Sequence, residues 1–218
     1  MNEIRRVDYQ SQGLGETDLA ATPFAQFQTW LQEAVVAEIE EPNAMAVATV
    51  DPSGQPHVRT ILCKEVIPAG FVFFTNYASD KGRQLAQNPQ VGLCFHWQPQ
   101  HRQVRVTGLA RTLPTSESDD YFASRPRDAR LGAWASPQSS VIPDRQYLRD
   151  KWESAKTRFA DDVPRPEHWG GYLVEVSSIE FWQGQPSRLH DRLRFTARNG
   201  DTARLDDADA WRVERLAP

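Results

Sequence analysis

The feature that most constrains this chain is the way its apolar runs follow one another. "AMAVATV" (44–50), "HVRTILCKEV" (57–66), "GFVFFTN" (70–76), "QVGLCFHW" (90–97) and "RQVRVTGLARTL" (102–113) succeed each other with turns or one short helical piece between them. Each run has strand length and is rich in β-branched or aromatic residues. The breaks carry turn chemistry: "DPSGQP" after the first run and Pro-Ala-Gly before the third. Parallel strands need long crossovers, so strands joined this closely pair antiparallel. The sequence therefore predicts a mainly β chain with flanking helices (α+β), arranged as an antiparallel meander or Greek-key-like barrel.

The rest of the chain fits around that sheet. "TPFAQFQTWLQEAVVAEI" has Thr22 to cap, Pro23 for the first turn, and Phe24, Phe27, Leu31, Ala34 and Val35 at helical spacing. Further helices are expected over 79–89, from Thr115 to about Arg125, and from about Pro143 to Ala160. Strands are expected in "GGYLVEVSSIEFWQG" and in "RLRFTARNGDTARLD", the latter folded at Asn199-Gly200-Asp201, with a last strand in "WRVERL". Residues 1–21 are polar and read as a flexible arm; 22–218 read as a single domain. A net charge of -4 argues against a general nucleic-acid or anionic-membrane surface. No apolar run approaches the roughly 20 residues of a membrane helix, and the N-terminus is too polar for a signal peptide. Cys63 and Cys94 have neither CxxC spacing nor a partner histidine, so they read as buried thiols of a cytoplasmic protein, with no metal site.

No GxGxxG follows a strand and no GxxxxGK[ST] is present. An anionic ligand would have to be held by side chains. Arg59 and Lys64 flank an apolar middle at an odd separation. They read as solvated strand ends, or as ligands of two anions on different sides. Tyr121 and Arg125 are four apart and share a helix face, with Pro126 placing Arg125 at the helix end. A phenol and a guanidinium suit a phosphate, although a tyrosine packed under an arginine stem fits equally well. In "RLHDRLRF" (188–195) an extended strand puts Arg188, His190, Arg192 and Arg194 on one face and Leu189, Asp191, Leu193 and Phe195 on the other. Such a row repels itself unless an anion sits among it, which points to a negatively charged ligand beside Trp182.

The segments "RTILCK", "FFTNYASDKGRQL", "RQVRVTG", "YFASRPRDARLGAWASPQSS", "WGGY", "EFWQG", "RLHDR" and "ERLAP" together resemble the pyridoxine/pyridoxamine 5'-phosphate oxidase family, from the first helix to the last residue. The resemblance implies an FMN-binding split barrel, a homodimer with FMN at the interface, and oxidation of pyridoxamine or pyridoxine 5'-phosphate to pyridoxal 5'-phosphate, with O2 reduced to H2O2. It implies that Arg59 and Lys81 bind the FMN phosphate. Thr60, Ile61, Leu62, Phe74 and Thr75 then line the flavin, and Gln103, Gln138, Ser139, Trp182 and Arg192 complete its site. Lys64, counted in both sites, would grip the substrate phosphate with Tyr121 and Arg125. Arg188 and His190 would be the catalytic pair over the pyridine ring, and Arg6 and Tyr9 would fold over the substrate.

Two positions depart from the family's pattern. Asp80 stands where relatives offer a neutral or basic residue, and a carboxylate about 4 Å from a phosphate costs roughly 4 kcal/mol at intermediate dielectric. Asp80 is therefore expected to turn away, toward Arg83. Ala129 replaces a substrate-phosphate serine, and Arg130 is the residue expected to supply the missing donor. The competing readings are a non-catalytic carrier of FMN or pyridoxal phosphate and another split-barrel flavin reductase or oxidase.

Overall fold

The computed structural model describes residue 9 and residues 11–218. Nine strands form one sheet: β1 (Ala44–Val50), β2 (Pro56–Leu62), β3 (Glu65–Ile67), β4 (Gly70–Asn76), β5 (Gln90–Trp97), β6 (Arg102–Thr112), β7 (Trp169–Gln183), β8 (Asp191–Ala197) and β9 (Trp211–Arg215). Their order is β2-β1-β5-β6-β7-β4-β3, with β8 and β9 continuing from β7, and the paired strands run antiparallel. The architecture is the expected one, an antiparallel half-barrel with flanking helices.

The expected strand 57–66 breaks at Cys63 and Lys64, and the break closes the barrel. Leu62 still pairs with Ala44 of β1, whereas Glu65 pairs with Val72 of β4. These are the two ends of the strand order, so the chain crosses from one edge of the sheet to the other within two residues. Neither amide is stranded at the corner: Cys63 donates to Asn43 O at 2.9 Å and Lys64 to Val72 O at 2.8 Å.

β7 is 15 residues long and joins two parts of the sheet. Its first half pairs with β4 and its second half with β8, while β6 runs along its length. β6 follows it by means of a bulge between Thr107 and Gly108. A Cβ on Gly108 would lie 2.0 Å from Glu175 O, so this close approach requires glycine.

Helix α1 (Pro23–Val36) starts as expected: Thr22 accepts from the Ala25 amide and Pro23 is the first helical residue. Phe27, Trp30 and Ala34 are buried. Phe27 packs edge-on to Phe71 and Phe95, with Trp97 beside them. Each fully buried ring of this kind contributes on the order of 1.5–3 kcal/mol. Val35, expected on the buried face, is half exposed, and Trp30 takes that role. The remaining helices are α2 (Asp80–Gln87), α3 (Thr115–Ser124), α4 (Arg127–Ala135) and α5 (Arg145–Arg158).

Several expectations change. Helix α4 was not foreseen; it restarts directly after Arg125, whose extended backbone ends α3. The Asn199–Asp201 turn does not fold a hairpin back on β8. Ala203 bridges to Val176, and β9 takes the place beside β8. "RLHDRLRF" is a strand only from Asp191, because Ser187 and Arg188 have φ of 57° and 65° in a turn. Leu189 is accordingly 71% exposed, while Leu193 and Phe195 are buried as expected. From Ser11 on, the expected flexible arm sits against the domain: Leu14 is buried and its amide donates to Asp191 Oδ2 at 3.0 Å. Among the described residues no helix is long and apolar enough to cross a membrane.

Candidate functional site

Two cationic groups adjoin each other, linked through Thr75 and Gln138, and the second of them lines a cavity. The first is a cradle between β1, β2, β4 and the start of α2. Arg59 Nη1 donates to Thr49 Oγ1 at 2.5 Å and to the carbonyls of Val47 and His57, and its Nη2 donates to Gln84 Oε1 at 3.3 Å. Lys81, 7% exposed, donates to Thr75 Oγ1 at 3.1 Å and to Ser79 Oγ, the N-cap of α2. Among the described residues, these recorded partners of Arg59 and Lys81 are all neutral. Burial holds both cations below their ordinary pKa ranges; the Arg59 charge adds to this for Lys81, and Asp80 opposes it for both. Asp80 itself pairs with Arg83, as expected. Two desolvated cations with neutral neighbours are costly unless an anion joins them.

The second group's cavity, of about 250 Å³, is lined by Arg125, Ala129, Asn76, Gln138 and Trp169 among others. Phe74, Tyr121 and Trp169 lie nearly parallel, Phe74 and Tyr121 with centroids 3.9 Å apart. Arg125 rests with its guanidinium 4.6 Å from the Trp169 ring centre, and its Nη1 is buried with no hydrogen-bond partner among the described residues. Burial lowers its pKa, with Tyr121 opposing. A buried donor left open in this way marks the place of a ligand acceptor. Gln138 belongs to both groups: it lines the cavity of the second and accepts from Thr75 Oγ1 in the first at 3.5 Å. Ala129 offers no donor; Arg130 donates from Nη1 to Asp162 and the Val163 carbonyl, and its Nε is buried with no partner among the described residues. Of the other expected residues near this end, Thr60 and Lys64 are exposed, Ile61 and Leu62 half-buried, and Gln138 and Ser139 exposed on the loop after α4.

The remaining expected residues lie elsewhere. Gln103, Trp182 and Arg192 stand in register across β6, β7 and β8. Trp182 is at the opposite end of β7 from Trp169, roughly 40 Å away along an extended strand of that length. Among the described residues no hydrogen bond, ion pair or ring contact joins Arg192, Trp182, Arg188 or His190 to Arg59, Lys81 or Arg125. Around Trp182, the His190 ring lies 4.7 Å away and Tyr9 covers both, its ring 5.7 Å from His190 and 4.4 Å from His101. His190 Nδ1 accepts the Gln185 amide at 3.0 Å. Burial and then Arg188 push the His190 pKa below its ordinary value, against Asp191. Arg188 is exposed on its left-handed turn. Arg6 lies outside the described residues.

The expected row of free cations on β8 is not free. Arg192 is held by Glu180 through two hydrogen bonds, and Arg194 by Glu214. Thr49, Gln84, Trp169, His101 and Glu180 were not singled out from sequence. Glu180 left a signal, a carboxylate set directly between Ile179 and Phe181. The others are ordinary residues made functional by their neighbours.

Comparisons with known proteins bear on this arrangement. Residues 31–159 match a family model described as pyridoxamine 5'-phosphate oxidase, and residues 169–218 one described as the pyridoxine 5'-phosphate oxidase C-terminal dimerisation region. The chain is 50% identical over 213 residues to a pyridoxine/pyridoxamine 5'-phosphate oxidase of Burkholderia lata, covering 98% of this chain and 97% of the relative, and equally to that of Burkholderia thailandensis. Among solved structures, PhzG from Burkholderia lata in complex with tetrahydrophenazine-1-carboxylic acid is 29% identical. It superposes with a TM-score of 0.84, covering 95% of this chain and 98% of that one. An FMN-binding protein from Nostoc punctiforme, 15% identical with a TM-score of 0.68 and coverage of 92% and 100%, shares the fold.

Proposed function

This chain belongs to the pyridoxine/pyridoxamine 5'-phosphate oxidase family, and on that premise we propose that it binds FMN and, as a homodimer, oxidises pyridoxamine or pyridoxine 5'-phosphate to pyridoxal 5'-phosphate, with O2 reduced to H2O2. The observation that carries the reading is the pair of adjoining cationic groups, Arg59 with Lys81 and Arg125 beside the Tyr121 stack, linked through Thr75 and Gln138. Two phosphorylated rings lying side by side need such a pair.

The residues fit FMN. A phosphate dianion supplies the counter-charge that Arg59 and Lys81 lack, and the amides at the start of α2 favour the same sign. Bound there, FMN supplies the two-electron acceptor that the substrate carbon requires and that oxygen later restores. Arg125 Nη1 and the Tyr121 hydroxyl grip the substrate phosphate, and the Phe74–Tyr121–Trp169 stack keeps Arg125 in place. Lys64, exposed at the barrel-closing corner, is free to add a further cation for the substrate phosphate.

The other half of the site comes from the second copy. Trp182, Arg188, His190 and Arg192 all fall within the dimerisation-region match at 169–218, and a two-fold dimer can lay this end of β7 over the partner's cradle. His190 is neutral at pH 7 with its proton on Nε2, since Nδ1 accepts the Gln185 amide. Nε2–H is thus the donor offered to the substrate's ring, while Arg188 covers the ring and Tyr9 shields it from water. Orientation of the two rings accounts for much of the rate gain in this scheme.

A second reading, oxidation of a carboxylated polycyclic substrate, is favoured by the likeness to the PhzG complex. The test is an absorbance spectrum of the purified protein, followed by anaerobic addition of pyridoxamine 5'-phosphate and, separately, of a reduced phenazine carboxylic acid. Bleaching of the flavin band by the first and peroxide release on admitting air are expected. Bleaching by the phenazine alone favours the second reading. A flavin band that neither compound bleaches indicates a carrier, and no flavin band at all removes the cofactor.

A further inference from the structure

Glu180 is the only carboxylate among the buried polar residues described, 6% exposed in the middle of the sheet. It stands in β7 opposite Arg105 of β6 and Arg194 of β8. Its strongest bonds go to neither. Arg192 Nε donates to Oε1 at 2.8 Å and Arg192 Nη2 to Oε2 at 3.1 Å, a side-on fork. Arg105 reaches Oε2 only at 3.5 Å, and Arg194 is taken by Glu214. The remaining nitrogen of Arg192, Nη1, donates to Ala217 O at 2.7 Å, and the Leu216 amide donates back to Arg192 O. Every nitrogen of that guanidinium is thereby anchored, and two of its five N–H groups have no partner among the described residues, on a residue in register with Trp182 and Gln103.

We propose that Glu180 is a positioning residue for the cofactor's ring: it fixes the plane of Arg192 and offsets its charge, so that the ring meets an oriented donor rather than a net cation. The proposal deepens the flavin reading and rests on it. A lone arginine beside a flavin stabilises the electron-rich reduced ring and raises its midpoint potential. A buried carboxylate in bidentate contact with that arginine holds the potential down while keeping the geometry.

The test is the midpoint potential and FMN dissociation constant of the holoprotein. Glu180→Gln keeps the shape and removes the charge, so the potential should rise. In an Arg192→Gln background the same Glu180→Gln change should move the potential clearly less, because only the direct field of the carboxylate is left to lose. A potential unmoved by Glu180→Gln, or moved equally in both backgrounds, overturns the proposal. If Glu180→Gln does not fold, Glu180→Asp serves instead. It keeps the charge but is too short for the fork, so FMN should bind about tenfold more weakly, the loss of one charge-assisted hydrogen bond, at a potential close to that of the parent. Parental affinity in Glu180→Asp overturns the positioning role. A wild-type chain that takes up no flavin sinks this proposal and the flavin reading together; any other negative outcome sinks this one alone.

Discussion

Two regions of this molecule collect arginines and use them in opposite ways. In the cradle, Arg59 and Lys81 are surrounded by Thr49, Thr75, Ser79, Gln84 and backbone carbonyls, all neutral. Along β8 and β9 the positive charge is answered from within. Arg192 meets Glu180, Arg194 and Arg212 meet Glu214, and Arg215 meets Glu16 and Asp191. The first region is left for an anion from outside, whereas the second has supplied its own and offers geometry in place of charge. A count of basic residues points the wrong way, since "RLHDRLRF" is far more basic than "HVRTILCKEV". What separates the two regions is whether a carboxylate stands across the ladder.

The comparison breaks most directly if the cradle is given an internal anion. Gln84 Oε1 lies 3.3 Å from Arg59 Nη2, so Gln84→Glu puts a carboxylate against the guanidinium with almost no change of shape. It pairs Arg59 and repels phosphate. FMN affinity, read by quenching of flavin fluorescence, should fall about 100-fold, or about 2.7 kcal/mol, within the roughly 4 kcal/mol of a charge pair at intermediate dielectric. The matching change in the other region, Glu214→Gln, should alter FMN affinity far less, because Glu214 answers Arg194 and Arg212 at the outer edge of the sheet. Equal losses for the two would erase the distinction drawn here.

Arg125 tests whether the second group is independent of the first. Its open Nη1 and its seat on Trp169 assign it to the substrate anion. Arg125→Met should raise KM for pyridoxamine 5'-phosphate about 30-fold, or about 2 kcal/mol, within the range for a hydrogen bond to a charged group, while FMN stays bound. Loss of flavin in this variant would merge the two groups into one site.

The legible part of the fold was what depends on local pattern: the strand-and-turn succession, the Thr22–Pro23 helix start, and the inward Leu193 and Phe195. Sequence reading failed where a partner distant in sequence decides. The corner at Cys63 and Lys64 exists because the chain changes neighbours between β1 and β4, and no period within the run marks it. The left-handed turn at Ser187 and Arg188 detaches His190 from the strand, although neither residue is a glycine. In the site, the residue types that carry charge were legible and their compensation was not. Glu180, Glu214 and Gln84 are distant in sequence from some of the arginines they hold or leave open; strand registers bring the two glutamates there, and the packing of α2 brings Gln84.

His190 offers a sharper probe of the assembled half-site. Its pKa lies below the ordinary histidine value through burial and Arg188, so the working neutral form persists below pH 6.5. kcat/KM should hold through neutral pH and then fall about tenfold per unit once the lowered pKa is passed. His190→Asn should remove that acid limb. The stability consequence has the same direction: the unfolded chain takes up the proton first, so stability from this group is present above about pH 6.5 and declines as pH falls toward the folded-state pKa. An acid limb that survives in His190→Asn would assign it to another group.

The smallest effect concerns the one carboxylate that does stand near the cradle. Asp80 acts on both Arg59 and Lys81, against the loss of charge that burial favours, yet its hydrogen bond goes outward to Arg83. Both partners are more than half exposed, so as a stabilising ion pair they are worth little. Their effect should instead appear in binding. Arg83→Ala leaves Asp80 unpaired and its charge no longer offset, adding repulsion to the phosphate across a solvent-screened distance. FMN affinity should drop about threefold at low ionic strength, and the loss should fade toward 0.5 M salt as the Debye length shrinks to a few ångströms. Asp80→Asn in the same background should restore the affinity. A salt-independent loss, or no rescue, would mean that Arg83 acts on the helix itself, and that the cradle's neutrality does not depend on where Asp80 is tied.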